Sequence, residues 1–260
     1  MKRTKTDLKN KWVVITGASS GFGRAAAVAF GSAGAQLMLG ARRLDRLRET
    51  ARLATEAGAA SVCPHYLDVS STPSVEEFGN TLIEKTQEVQ VLVNNAGGAL
   101  GVDTVLEGKD EDWETMFQTN VLGLLRVSRK VIPLMLKTEG ALVINVGSIA
   151  GRVAYEGGSA YCGAKAAELQ ISKALRLELC GSPVRVTSLD PGMAETDFSL
   201  VRYKGDEKKA KEVYRGLEPL RAEDIAETML WLAERPAHVC VDELVIKPTA
   251  QAAPHKVFRQ

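Results

Sequence analysis

WVVITGASSGFGRAAAVAF, residues 12–30, decides the fold. Trp12 to Thr16 is a short apolar run of strand character, Gly17, Gly21 and Gly23 make a turn, and an Ala-rich helical stretch follows. Strand, glycine turn and helix in that order lay out a nucleotide loop. Glycine lets the backbone turn sharply and lets a diphosphate approach main-chain N–H groups, while the helix presents its positive end. The spacing is GxxxGxG and departs from the GxGxxG fingerprint. On this stretch alone, a tight strand-to-helix turn without ligand stays open.

Outward from that loop, strands and helices alternate with no Pro/Gly/Ser linker and no internal repeat. A second strand reads over Gln36 to Gly40, a charged helix from Leu44, a third strand near Val62 to Tyr66 and a helix from Ser74. VQVLVNNAG supplies a buried strand running into a turn, and a long helix spans Trp113 to Leu136. GALVINVGS is a strand, Tyr161 to Leu179 a helix, VRVTSLDPG a strand, Ala222 to Glu234 a helix and ELVIKP a last strand. The expected fold class is α/β: a doubly wound parallel sheet of about seven strands with helices on both faces, in one domain over residues 1–260. Residues 1–10 read as an N-terminal extension and 250–260 as a C-terminal tail. Gly17, Asn94, Ser148 and Pro191 all follow strands, which puts them at the carboxyl edge where such sheets bind ligands.

Tyr161 and Lys165 stand one helical turn apart in AYCGAKAAELQ, with Ser148 upstream. Residues at that spacing share a helix face, so the lysine ammonium favours the ionised phenol. A phenol titrates near ~10 in isolation, and a cation lowers that by roughly 1–3 units, toward useful acid/base chemistry. YxxxK by itself is a weak pattern that any amphipathic helix can carry.

Composition excludes several classes. Thirty-three Lys and Arg nearly balance 32 Asp and Glu, for a net charge of +1, so neither nucleic acid nor a membrane is an expected partner. The basic MKRTKTDLKNKW runs directly into the first strand without a leader-type apolar stretch, which makes a cytoplasmic protein the expectation. Cys63, Cys162, Cys180 and Cys240 are scattered and read as small buried apolar residues. His65, His238 and His255 are isolated, and no metal is expected.

With these motifs in order, the chain resembles the short-chain dehydrogenase/reductase family over almost its whole length. TGASSGFG is similar to that family's cofactor loop, which implies contacts from Gly17, Ser19, Ser20, Gly21, Phe22 and Gly23. Asp68, with Val69 beside it, resembles the adenine contact, and Asn94, Ala96 and Gly97 the NNAG turn along the cofactor. Asn120, Ser148, Tyr161 and Lys165 look like the catalytic tetrad, and Pro191, Gly192 and Thr196 like the PGxxxT loop beside the nicotinamide. By that resemblance Tyr161 protonates a carbonyl oxygen that Ser148 also binds, and Lys165 holds the nicotinamide ribose. Asn120 positions a water leading to Lys165; a solvent-facing helix asparagine is its other reading. Phe22 and Gly147 depart from the common pattern, at places where an aliphatic residue and a second serine are frequent.

At the end of the second strand the sequence is GARR. Ala41 stands where an acid would bind the ribose of NAD, and two arginines follow. Arginine forks onto phosphate, so the expected cofactor is NADP(H), with Arg42 the main phosphate contact and Arg43 beside it. The stretch from Asp197 onward resembles the branch of NADP-dependent 3-hydroxy acid dehydrogenases acting on serine-type substrates and malonic semialdehyde. Such substrates carry a carboxylate, which points to Arg202 first and Arg152 second as the cation that reads it. A broad NADPH-dependent carbonyl or 3-oxoacyl reductase, and a non-catalytic dinucleotide sensor, are the other readings. The run Lys204 to Lys211 reads as a solvated helix face or a lid. The resemblance also implies a homotetramer packed through the helices of Asn120 and Tyr161, where Cys162, Ala164 and Ala167 are small enough for close helix packing; the C-terminal AQAAPHKVFRQ has weak periodicity, and a tail reaching a neighbouring subunit is one open reading of it.

Overall fold

The computed structural model describes residues 5–260, so residues 1–4 of the expected N-terminal extension lie outside the described residues. The remainder of that extension is anchored, with Leu8 buried in the core. Strands β1 (Trp12–Thr16), β2 (Gln36–Ala41), β3 (Ser61–Tyr66), β4 (Val91–Asn94), β5 (Leu142–Val146), β6 (Arg185–Pro191) and β7 (Glu243–Ile246) form one parallel sheet in the order β3-β2-β1-β4-β5-β6-β7. The order reverses between β1 and β4, and that switch opens a crevice at their carboxyl ends.

The apolar runs are continuous because both faces are covered. Val13 and Ile15 of β1 point into a core with Leu37 and Leu39, packed by α1 (Gly21–Ser32), α2 (Leu44–Ala57) and α9 (Ala222–Ala233). Val14, one residue out of phase, joins Met38, Leu92, Val143 and Val186 on the other face, under α3 (Thr72–Lys85) and α5 (Gly123–Val131). Pro64, which has no N–H to donate, sits in the edge strand β3.

Several elements differ from the sequence reading for local reasons. α3 begins at Thr72 rather than Ser74, because Ser71 caps it and Pro73 occupies its first turn. The long helix breaks into α4 (Asp110–Phe117), a π-turn over Gln118–Leu122, then α5, and closes in a 3₁₀ turn at Ile132–Leu134 that contains Pro133. The Asn120 amide donates to the Met116 carbonyl at 2.7 Å, in competition with the backbone ladder, and Gly123 N–H reaches back to Gln118. Beyond β6, Thr196 caps α7 (Asp197–Arg202) and Asp206 caps α8 (Glu207–Glu212).

The C-terminal tail packs on its own chain. It forms a hairpin, β8 (Gln251–Ala253) and β9 (Lys256–Val257), in which Gln251 Oε1 accepts from Met193 N–H at 2.8 Å. Gln260 N–H donates to the Gly216 carbonyl. The small residues expected at a subunit contact also turn inward: Cys162 and Ala164 are buried within the chain. Of the other cysteines, Cys63 is half-buried while Cys180 and Cys240 are exposed, against the expectation of burial.

Candidate active site

The glycine loop is built by close approach. Gly17 and Gly21 adopt φ of 65° and 52°, and a Cβ on Gly23 would lie 2.5 Å from the Gly17 carbonyl. Two residues outside the expected set hold it in place. The Asn95 amide donates to the Thr16 and Gly17 carbonyls at 2.9 and 3.3 Å, and Thr16 Oγ1 accepts from Asn95 and Ala96 N–H. The second asparagine of NNAG was the available signal. The Asn94 side chain is buried: its amide donates to Ser128 Oγ and Asn145 Oδ1, both at 2.9 Å.

Ser20 stands at the N-cap of α1 without using its hydroxyl as a cap, and no acidic residue occupies the first turn. The free N–H groups of that turn therefore face the crevice as an anion site. Phe22 is half-buried and packs its ring on the core beneath the loop. At the end of β2, Ala41 is buried, and Arg43 rather than Arg42 bends over the loop, donating to Ser20 Oγ at 2.7 Å and Ser19 Oγ at 3.2 Å. Arg42 is exposed. Across β3, Asp68 Oδ1 accepts from Ser70 N–H and Oγ at 3.0 and 2.6 Å, and Val69 is buried against Gly123. A glycine cradle, a free helix terminus, and cations with no acid at the end of β2 fit a phosphate-bearing dinucleotide.

The four residues expected as a tetrad lie on elements at the carboxyl ends of β4 and β5. Asn120 is buried, not solvent-facing. Its Oδ1 accepts from Gly98 N–H at 3.0 Å, its amide donates to the Gly98 carbonyl, and the same Oδ1 fills the space a Cβ on Gly97 would need. Ser148 follows β5 and caps the turn Ile149–Gly151, accepting from Ala150 N–H. Tyr161 and Lys165 lie on the buried face of α6 (Ser159–Glu178). Lys165 Nζ donates to the Val146 carbonyl at 2.8 Å and to Glu168 Oε2 at 2.7 Å.

A second charged group backs the site. Arg152 is bound by Asp190 at 2.6 Å and by Glu243, so its charge is committed to two carboxylates and it is unsuited to reading a substrate. Sequence reasoning placed Arg152 at the substrate because neither partner was visible as such. Asp190 also explains Gly147: its Oδ1 lies 2.0 Å from where a Cβ at position 147 would sit, so a serine there is excluded.

The surroundings of Tyr161 are aromatic. The Tyr161 ring tilts against Phe198, with centroids 5.6 Å apart, and Trp113 and Met116 pack behind it. Arg202, from α7, lies 5.8 Å from the Tyr161 centroid and 5.4 Å from that of Tyr155. It donates to the Gly101 carbonyl at 3.1 Å and to Tyr155 Oη at 2.8 Å, and it takes part in no ion pair among the described residues. Burial pushes the Tyr155 phenol up to about 12 despite Arg202. Thr196 faces Gly21 across the crevice, and Gly192, after Pro191, donates to the Ile246 carbonyl. Lys204 reaches from the segment after α7 to Asp112 of α4 at 2.6 Å, which ties that segment to α4.

A seven-stranded parallel sheet with a glycine loop at its switch point and a Ser–Tyr–Lys group at the next strand end defines a dinucleotide-dependent oxidoreductase. The short chain dehydrogenase profile matches residues 11–206, and the chain belongs to that family. It is 40% identical to an NADP-dependent 3-hydroxy acid dehydrogenase of Schizosaccharomyces pombe over 97% of this chain and 98% of the other. It is 45% identical to a sulfoacetaldehyde reductase of Chromohalobacter salexigens over 92% and 94%. A serine dehydrogenase solved in closed form with NADP⁺ superimposes with a TM-score of 0.88 at 38% identity, covering 96% of this chain and 100% of that one. No described helix is long and apolar enough to cross a membrane.

Proposed function

We propose that the chain transfers a hydride between NADP(H) and a small 3-hydroxy acid or its 3-oxo counterpart, of the serine or 3-hydroxypropionate and malonic semialdehyde type. The observation that carries this reading is Arg202, a half-buried cation beside Tyr161 with no carboxylate partner among the described residues. A buried charge without a counter-ion is costly, and an anionic substrate supplies the counter-ion. The relatives named above are named for a hydroxy acid and for sulfoacetaldehyde, both of which carry an anionic group. A broad carbonyl reductase would share every group of the tetrad and differ only in ignoring that charge.

When bound, NADP supplies or accepts the hydride. Tyr161 exchanges a proton with the substrate oxygen, and Ser148 donates a hydrogen bond to that oxygen as negative charge develops on it. Lys165 has three donors and spends two on Val146 and Glu168, which leaves one for the nicotinamide ribose or the phenol. Arg43, already over Ser19 and Ser20, is the better placed of the two arginines for the 2′-phosphate. An Arg43→Asp enzyme is expected to lose about 10–150-fold in kcat/KM for NADPH, the worth of a charge-assisted hydrogen bond, with NADH little changed. Arg42→Asp costs less. An unchanged coenzyme preference in Arg43→Asp, or a larger loss in Arg42→Asp, would return the role to the surface or to Arg42.

Assembly as a homotetramer belongs to the same reading. Phe117, Leu122 and Leu125 are exposed on the α4–α5 segment, with Gly163 of α6 next to Phe117, and together offer an apolar face. Sizing chromatography giving a monomer would exclude it. The substrate reading is tested with NADP⁺ reduction by 3-hydroxypropionate against its methyl ester. Preference for the acid in kcat/KM supports a carboxylate-reading dehydrogenase; equal use or preference for the ester makes the enzyme a general carbonyl reductase.

A further inference from the structure

Lys165 and Glu168 form the only ion pair among the described residues whose two side chains are both more than nine-tenths buried. A buried glutamate is rarely retained without a purpose, since desolvating its charge costs several kcal/mol, on the order of what the pairing returns. Position 168 is one turn below Lys165 and two below Tyr161 on the same helix, and its carboxylate meets the Lys165 ammonium. We propose that Glu168 is a positioning residue: a counter-ion that holds the Lys165 ammonium at the end of β5 and sets how much positive charge Lys165 presents to the Tyr161 phenol.

The charges facing this pair are few. Tyr161 comes from α6 itself, and Asp190 approaches from β6. Arg152, from the turn after β5, holds Asp190 and is in turn held by Glu243 of β7, beside Lys173 of α6. Burial, with Asp190 adding to it, pushes the Glu168 carboxyl up to about 7 in spite of the pull of Lys165. Burial alone would discharge Lys165, but Glu168, Tyr161 and Asp190 hold its ammonium above the ordinary lysine value. Glu168 is therefore held closer to its neutral form than an exposed carboxyl. Neutral, it leaves the whole field of Lys165 to the phenol; ionised, it cancels part of that field.

The sign follows. In alcohol oxidation the phenol must have lost its proton. Below about pH 6 Glu168 is neutral and Glu168→Gln, its uncharged isostere, matches the wild type in kcat/KM. Above about pH 7 Glu168 is ionised in the wild type, which then lags behind Glu168→Gln by about tenfold, until both reach the same plateau. The wild-type profile consequently rises less steeply than a single ionisation, and Glu168→Gln restores the full slope. Glu168→Asp keeps the charge and stays close to the wild type.

The inference rests on Tyr161 as the proton-exchanging group but not on the 3-hydroxy acid, so it is also read without substrate. In cofactor-free protein, the tyrosinate absorbance step that Tyr161→Phe removes should be broadened in the wild type and move to lower pH in Glu168→Gln. A uniform loss of activity at all pH with no change in profile would make Glu168 merely structural and overturn the proposal. So would a Glu168→Asp enzyme that behaves like Glu168→Gln. If Glu168→Gln does not fold, a wild-type step that follows one simple ionisation still overturns it, and a broadened step supports it.

Discussion

Tyr161→Phe is expected to lower kcat by about 10²–10⁴-fold at saturating substrate, the usual cost of deleting a general acid, with the thermal midpoint and NADPH affinity close to wild type. Only one oxygen is removed. The ring that remains keeps its packing against Phe198, Met116 and Cys162, and no protein hydrogen bond of the phenol among the described residues holds the fold together. The loss should appear in kcat and kcat/KM alike, because the proton is exchanged only as the hydride moves. Turnover near the wild-type rate would remove Tyr161 from the proton transfer and, with it, the argument built on Lys165 and Glu168.

What the sequence makes legible is whatever repeats a local rule. Four consecutive apolar residues from Trp12, followed by Thr16, three glycines and a helix, specify a covered parallel strand and its loop without reference to any other part of the chain. Tyr161 and Lys165 are legible because helical spacing alone puts them on one face. What stayed hidden depends on partners distant in sequence. Arg152 is a free cation on paper and a bound one in the fold, since Asp190 and Glu243 reach it from β6 and β7. Gly147 is an unexplained departure until Asp190 occupies the space of its missing Cβ. The choice of Arg43 over Arg42 turns on which side chain reaches back to Ser19 and Ser20, and adjacent residues at a strand end do not reveal that. The C-terminal tail has too few residues in any one period to announce a hairpin, whose order comes from Gln251 and Gln260 bonding to the loops after β6.

The same contrast between free and bound arginines fixes the effect of Arg202→Ala. Charge-assisted hydrogen bonds are worth about 1.5–3 kcal/mol, so kcat/KM for 3-hydroxypropionate should fall by about 10–150-fold, mainly through KM. The substitution also removes the bonds to Gly101 and Tyr155, which loosens α7 over the pocket. That loosening affects the acid and its methyl ester together, whereas loss of the cation affects the acid alone. The ratio of the two substrates therefore separates them, and it should collapse toward one in Arg202→Ala. Arg202→Lys keeps a charge but gives up the planar fork and its stacking between Tyr155 and Tyr161, so it should recover only part of the ratio. A ratio unchanged in Arg202→Ala, with both substrates slowed equally, would reduce Arg202 to a strut that ties α7 to Gly101 and Tyr155 and would remove it as the group that reads a carboxylate.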